Sequence, residues 1–195
     1  MSPFNRKKLY GDESSVSNTL KEIYNSLFTF LQNKGYILSK QNVSINILVN
    51  GYSVDLVPAK RQDAQSVDHS LYRRKADTWT KTNVNKHINT VVKSGRREEI
   101  RIIKLWRQQK ALDFPSFYLE LTVLDALSGK RIGDLANNVW SVFEYLQDNF
   151  ARARVIDPAN TNNVISDDLV GTEKEVITAA ARRARAARNW DEIIR

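Results

Sequence analysis

The chain has no cysteine, which excludes disulfides and thiolate-held metals and leaves it compatible with a reducing compartment. It has two histidines, and no second histidine or cysteine lies at metal-ligand spacing from His87, so a zinc site is not expected. No apolar run approaches the roughly 20 residues that a membrane-spanning helix needs. The N-terminal MSPFNRKKLYGDESS carries no apolar core of a signal peptide. Internal repeats and low-complexity linkers are also missing. Together these absences predict a cytoplasmic protein with no membrane partner.

What is present is enough for a folded protein. A length of 195 residues, 42% hydrophobic and 27% charged, suits one good-sized domain or two small ones and excludes wholesale disorder. Lys and Arg number 30 against 22 Asp and Glu, giving +8. That excess favours polyanionic partners, nucleotides or nucleic acid, although many soluble proteins without such partners share it.

The stretch from Asn42 to Lys60, NVSINILVNGYSVDLVPAK, dominates the pattern. Two alternating runs flank Asn50-Gly51, the dipeptide that a type I′ turn favours because both central residues need positive φ. Val43, Ile45, Ile47 and Val49 share one face of the first strand, as do Val54, Leu56 and, loosely, Pro58 of the second. Asp55 points to the opposite face, near a strand end that Pro58 terminates. Two readings stay open: a solvated edge-strand carboxylate, or one aimed at a metal or a proton.

Elsewhere the periodicity alternates between polar loops and helices. Ser17 is expected to cap a helix closed by Gly35, with Leu20, Ile23, Tyr24, Leu27, Phe28 and Leu31 inward. Arg61 to Asp68 reads as a loop, and Ser70 to Thr80 as one further short strand or extended segment ending at Trp79. From Val84 onward helices follow one another. The first carries His87, Ile88, Val91 and Val92 and ends near Gly95; the second, Glu98 to Lys110, turns Ile102, Ile103, Leu105 and Trp106 inward. SFYLELTVLDAL, capped by Asp113 or Ser116, is apolar nearly all round and should be the central buried helix. A fourth places Leu135, Val139, Val142, Phe143 and Leu146 in a stripe. Arg154 to Ser166 reads as a loop, and a last helix runs from about Asp167 to Ile194, with Val176, Ala180, Ala184 and Ala187 as its close-packing face.

In this order, the helix, the NG hairpin with VDLVPAK, WTKTNVNKH, IRIIKLW, SFYLEL and DPANTNN resemble the nucleotidyltransferases related to oligoadenylate synthetase and cyclic GMP-AMP synthase, above all their bacterial antiphage relatives. The resemblance covers roughly residues 17 to 190. VDLVPA and DPAN followed by NNV, about a hundred residues apart, carry most of its specificity.

The resemblance implies an α+β fold: a partial nucleotidyltransferase palm (a helix plus a β-hairpin and a short strand) packed on a C-terminal helical bundle, with nucleotides in the cleft between them. Its expected divisions are a loosely ordered lead-in at 1–16, the palm at 17–82 and the helical domain at 83–195. By resemblance Asp55 is the third acidic residue of the active site. It would ligate Mg²⁺ and assist deprotonation of the attacking ribose hydroxyl, since phosphoryl transfer needs two hard cations held by clustered carboxylates. Lys104 matches a lysine that faces the triphosphate.

The chain departs from the family at the Gly-Ser turn and Asp-x-Asp strand, which belong upstream of the first helix. Gly11-Asp12 lacks the spacing and the acidic partner, and Asp63, Asp68 and Asp77 are scattered. One carboxylate cannot clamp two metals. The chain is therefore expected to be an incomplete part of such an enzyme: a truncation, half of a split gene, or a degenerate relative.

The remaining candidates have a structural reading beside the functional one. Arg101, Lys104 and Arg107 project from neighbouring turns, as a solvated basic face or as phosphate contacts. Thr82 and Asn85 are nucleotide contacts or caps, and Trp79 stacks on a base or belongs to the core. His87 is expected to be packed and satisfied. Glu120, inside an apolar helix, should pair with Lys104 or Arg107. Asp157, Asn160 and Asn163 should build local turns. Arg182 and Arg185 read as a solvated face rather than a nucleic-acid stripe, because no aromatics are interleaved with them in the sequence.

The expected function is nucleotidyl transfer from NTPs to a hydroxyl acceptor, making a cyclic or short oligonucleotide second messenger in antiviral defence. Nucleic acid as an activator and a separate N-terminal half are the further partners this implies. The alternatives are a non-catalytic nucleotide- or RNA-binding module, or a structural partner of a separate catalytic half.

Overall fold

The NG hairpin forms as its residues dictate. In this computed structural model, which describes residues 13–195, Asn50 and Gly51 have φ of 50° and 82°, as a type I′ turn requires. They join β2 (Ile45–Val49) to β3 (Tyr52–Leu56) with Ile45 opposite Leu56 and Ile47 opposite Val54. β1 (Leu38–Lys40) pairs along the other edge of β2, completing a three-stranded antiparallel sheet in the order β1-β2-β3. Preceding it, α1 (Glu13–Asn33) starts four residues before Ser17, so Ser17 lies within the helix rather than at its cap. The lead-in up to residue 12, with Gly11-Asp12, lies outside the described residues.

Pro58 does end the first ladder, but the chain then enters a second sheet. β4 (Ala59–Arg61), β5 (His69–Arg73) and β6 (Thr78–Thr82) form another antiparallel sheet in sequence order. The single strand expected over Ser70 to Thr80 is instead a hairpin, because Asp77 adopts the left-handed conformation (φ 47°) after a short 3₁₀ turn at Arg74–Ala76. Tyr72 Oη donates to Asp77 Oδ1 at 2.6 Å and Lys21 pairs with the same carboxylate at 2.9 Å, which fixes that turn.

The first unit, up to Val84, has its own core of Leu20, Tyr24 and Leu31 from α1, Ile45 and Ile47 from β2, and Tyr72 from β5. Tyr24 and Tyr72 meet edge to face at 5.7 Å, and Tyr24 Oη donates to the carbonyls of Gln41 and Ser44. Ile23, expected inward, is 37% exposed because it sits on the flank of the apolar stripe.

The second unit, from Asn85 to Arg195, is built from α2 (Val84–Lys93), α3 (Arg97–Gln109), α4 (Ser116–Ala126), α5 (Leu135–Asp148), α6 (Gly171–Arg185) and α7 (Trp190–Ile193). As its composition predicts, α4 is central: Tyr118, Leu119, Leu121, Thr122 and Val123 are all buried. Around it pack Ile100, Ile103 and Trp106 of α3, the Val139, Val142, Phe143 and Leu146 stripe of α5, and Ile177, Ala180, Ala181 and Ala184 of α6. Leu105 is exposed instead of inward, and neither Asp113 nor Ser116 caps α4, whose N-cap is Pro115.

Two further expectations change. The segment read as a loop between Arg154 and Ser166 contains a hairpin of β7 (Ile156–Asp157) and β8 (Asn160–Val164). The last helix is not continuous, because Asn189 accepts from the Glu192 amide and caps α7 as a separate turn. Ala180 and Ala184 of its expected close-packing face are buried and Ala187 is partly so, but Val176 is exposed and Ile177 takes its place. Among the described residues no helix is long and apolar enough to cross a membrane.

Candidate functional site

Alternation along β3 puts Asp55 and Ser53 on the face away from Val54 and Leu56. Directly across the ladder, Asn46 donates through Nδ2 to Asp55 Oδ1 at 2.9 Å and to Ser53 Oγ at 2.7 Å. Asp55 is exposed, and its Oδ2 has no protein partner among the described residues. This presents a carboxylate with one oxygen oriented by an amide and the other available to an incoming group.

The residues around Asp55 do not fit a two-ion magnesium centre. Such a centre needs several carboxylates at one point, and Asp55 is joined only by neutral Asn46 and Ser53. Among the described residues no group of three His, Asp or Glu side chains could hold a metal ion.

Two of the basic residues of α3, Lys104 and Arg107, are engaged with α4 and the turn before it. Lys104 Nζ pairs with Glu120, the partner expected for that carboxylate in an apolar helix. Arg107 Nη1 donates to the Phe114 carbonyl at 2.6 Å and to Ser116 Oγ at 3.0 Å, bracing the turn into α4. Lys104 keeps partial solvent access (34% of its side chain), so its ammonium can meet a further anion; Arg101 is exposed. Trp79 packs, partly buried, against the first unit's core, and Thr82 is buried at the end of β6, where it faces His69 across the ladder.

His87 of α2 is packed and satisfied. Its ring lies 4.1 Å from that of Phe117, and Nε2 lies 2.7 Å from Asp157 Oδ1. Burial alone would raise the Asp157 carboxyl, but hydrogen bonds from His87, the Ala159 amide and Asn163 outweigh it and hold the group below its ordinary value. An ionised carboxylate only accepts, so His87 Nε2 carries the proton in this pair. The DPANTNN motif thus anchors the β7–β8 hairpin to α2 besides forming a local turn.

A depressed carboxyl adds stability that is full above its unfolded pKa and is lost as pH falls through the folded one. Asp157→Asn is therefore expected to cost about 1–2 kcal/mol at neutral pH, the worth of charge-assisted hydrogen bonds. Urea titrations compared between pH 7 and pH 3 should show the gap between wild type and variant narrowing below about pH 4. A gap independent of pH would remove the charge from this account.

Two clusters carried no signal in the sequence. Arg96, Glu99 and Asn138 form a buried polar network, and Trp140, Arg185 and Trp190 gather on the outer side of α5 and α6. Arg96–Glu99 has the ordinary i,i+3 spacing of any helix, and Trp140 lies far along the chain from its two partners.

A long helix followed by an NG hairpin that displays a strand-end aspartate, together with a bundle around an apolar central helix, matches a partial nucleotidyltransferase-like α+β fold. Solved structures carry this fold: CdnC of E. coli MS115-1 in complex with HORMA-deltaN (TM-score 0.66, 18% identity, 89% of this chain and 70% of that one) and the same enzyme with ATP (0.65, 17%, 99% and 74%). DncV of Escherichia coli in its 3′-deoxy GTP bound form is also similar (0.58, 15%, 92%), and this chain spans 53% of its length. These neighbours are bacterial nucleotidyltransferases of the cyclic GMP-AMP synthase/DncV-like kind. No family model matches the chain, and no curated protein matches it by sequence.

Proposed function

We propose that this chain is the nucleotide-handling part of a nucleotidyltransferase. The complete enzyme transfers nucleotidyl groups from NTPs to a hydroxyl acceptor and makes a cyclic or short oligonucleotide second messenger in antiviral defence. The observation that carries this reading is Asp55, displayed at the end of an NG-hairpin strand and oriented by Asn46, in a chain with the fold of CdnC and DncV. Asp55 is assigned to the acceptor hydroxyl, and Lys104 to the triphosphate as a point charge that Glu120 holds in position. Arg107 and Trp79, each partly exposed, are the further candidate nucleotide contacts, and Thr82, buried at the end of β6, acts only by positioning that strand. Among the described residues no carboxylates join Asp55, and those that magnesium-dependent transfer requires would come from a separate N-terminal half.

The test has two parts. Calorimetric titration with ATP should show saturable binding that Lys104→Ala weakens by about 10-fold or more, the worth of one charge-assisted hydrogen bond. Incubating the 195-residue chain with the four NTPs and Mg²⁺ should give little or no product. Robust product that survived Asp55→Ala would overturn the assignment. The lone carboxylate also favours a second reading, a non-catalytic nucleotide-binding module; it predicts ATP binding with no product when any acidic polypeptide partner is added.

A further inference from the structure

The arginines near the end of α6 have no aromatics interleaved with them in sequence, but one of them, Arg185, acquires an aromatic partner in the fold. α5 turns Trp140 toward α6, where the Arg185 guanidinium lies over its ring at 4.6 Å and reaches Glu144 at 3.6 Å. After the break in the last helix, α7 brings Trp190 to the same place, its ring centroid 6.1 Å from that of Trp140 at 74°. Beside this pair opens a cavity of about 340 Å³, lined by Ala136, Trp140, Ala187, Arg188, Trp190 and Ile193 together with two asparagines. That volume falls within the range of small-ligand sites.

The chemistry of the lining is specific. Ala136, Ala187 and Ile193 give apolar lining, and Trp190, 43% exposed, adds an aromatic ring that solvent reaches. Asn137 and Asn189 are engaged, the first with Asp134 and the second with Glu192. Arg188 donates its backbone amide to Glu192, and among the described residues its guanidinium has no partner, which leaves it for a ligand. An aromatic ring, apolar lining and a guanidinium with no partner among the described residues suit a planar ring carrying an anionic group.

We propose that this cavity binds a nucleobase with its phosphate, the base stacking on Trp190 against Trp140 and the phosphate meeting Arg188. Such a group arrives either as a free nucleotide or as one residue of a single-stranded nucleic acid, since stacking on tryptophan with arginine at the phosphate serves both. The site shares no residue with Asp55 or Lys104, so it stands or falls apart from the transferase reading.

The probe is adenosine monophosphate, titrated calorimetrically and by tryptophan fluorescence into the Lys104→Ala chain, so that the triphosphate assignment does not contribute. Saturable binding is expected, about 10-fold weaker for adenosine, and about 10-fold weaker again when Trp190→Ala removes the stacking platform. Arg188→Glu, an exposed change that leaves the core intact, is expected to erase the difference between adenosine and the monophosphate. A hexanucleotide of adenylates distinguishes the sources: affinity well above that of the monophosphate identifies a strand, and equal affinity identifies the free nucleotide. Failure to bind at millimolar concentration, or Trp190→Ala and Arg188→Glu chains that bind as tightly as their parent, overturns the proposal.

Discussion

Replacing Arg96 with alanine is expected to lower the unfolding free energy by about 3–5 kcal/mol, because it strands a buried charge and several carbonyls at once. Arg96 Nη1 donates to Glu99 Oε1 and to the Arg131 carbonyl, both at 3.1 Å. Nη2 donates to the carbonyls of Leu127, at 3.3 Å, and Lys130. Asn138 completes the set, giving its amide hydrogens to Glu99 Oε1 and to the Arg131 carbonyl at 2.9 Å each. These bonds tie the start of α3 to the α4–α5 connection, and just before α3 Gly95, at φ 70°, lets the chain turn. A Cβ added at Gly95 would come within 2.9 Å of Ile132 Cδ1. With Arg96 gone, the Glu99 carboxylate keeps only Asn138 in a site from which water is excluded. The check is a shift in urea midpoint at unchanged slope. Arg96→Met with Glu99→Leu is expected to recover most of the loss, since removing both charges removes the desolvation cost as well. If the double variant is no better than Arg96→Ala, the carbonyl bonds and not the ion pair carry the stability.

The same contrast between local and distant determinants separates what was legible in the sequence from what was not. Asn50-Gly51 encodes its turn through the backbone of those two residues, and the parity of Val54, Asp55 and Leu56 then fixes which side chain faces out. Both were readable without a neighbour in view. The α4 core and the α5 stripe were readable because period 3.6 reports burial directly. The second sheet was only half readable, since it depends on Asp77 taking a left-handed conformation that its partners Tyr72 and Lys21 stabilise from elsewhere in the chain. The pairing of His87 with Asp157 joins residues 70 apart, which no spacing rule reaches. Glu120 was a middle case: an apolar helix demands a cationic partner for it, and the basic face of α3 held the two that were named. At the candidate site, Asp55 was legible as a displayed carboxylate. Asn46, which orients it, became evident only once the ladder register was known.

Trp106 carries the second large effect, and it bears on how Lys104 is held. Its side chain is fully buried on the inner face of α3, meeting Phe143 edge to face at 5.1 Å, two residues along the helix from Lys104. Trp106→Ala is expected to cost about 3–5 kcal/mol from lost transfer energy and the cavity left behind. Trp106→Phe should cost far less than its loss of volume suggests. Among the described residues the indole Nε1 has no hydrogen-bond partner, and an unsatisfied buried donor carries a penalty of about 1–3 kcal/mol that phenylalanine removes. The balance of a smaller ring against a deleted orphan donor places the phenylalanine variant within about 1–2 kcal/mol of wild type. Urea unfolding of both variants, with ATP titration of the phenylalanine chain, separates packing from nucleotide handling: stability should fall slightly while affinity at Lys104 stays unchanged. A phenylalanine variant as unstable as the alanine one would mean that Nε1 has a partner in solution, a bound water being the simplest, and that the orphan donor contributes nothing to the balance.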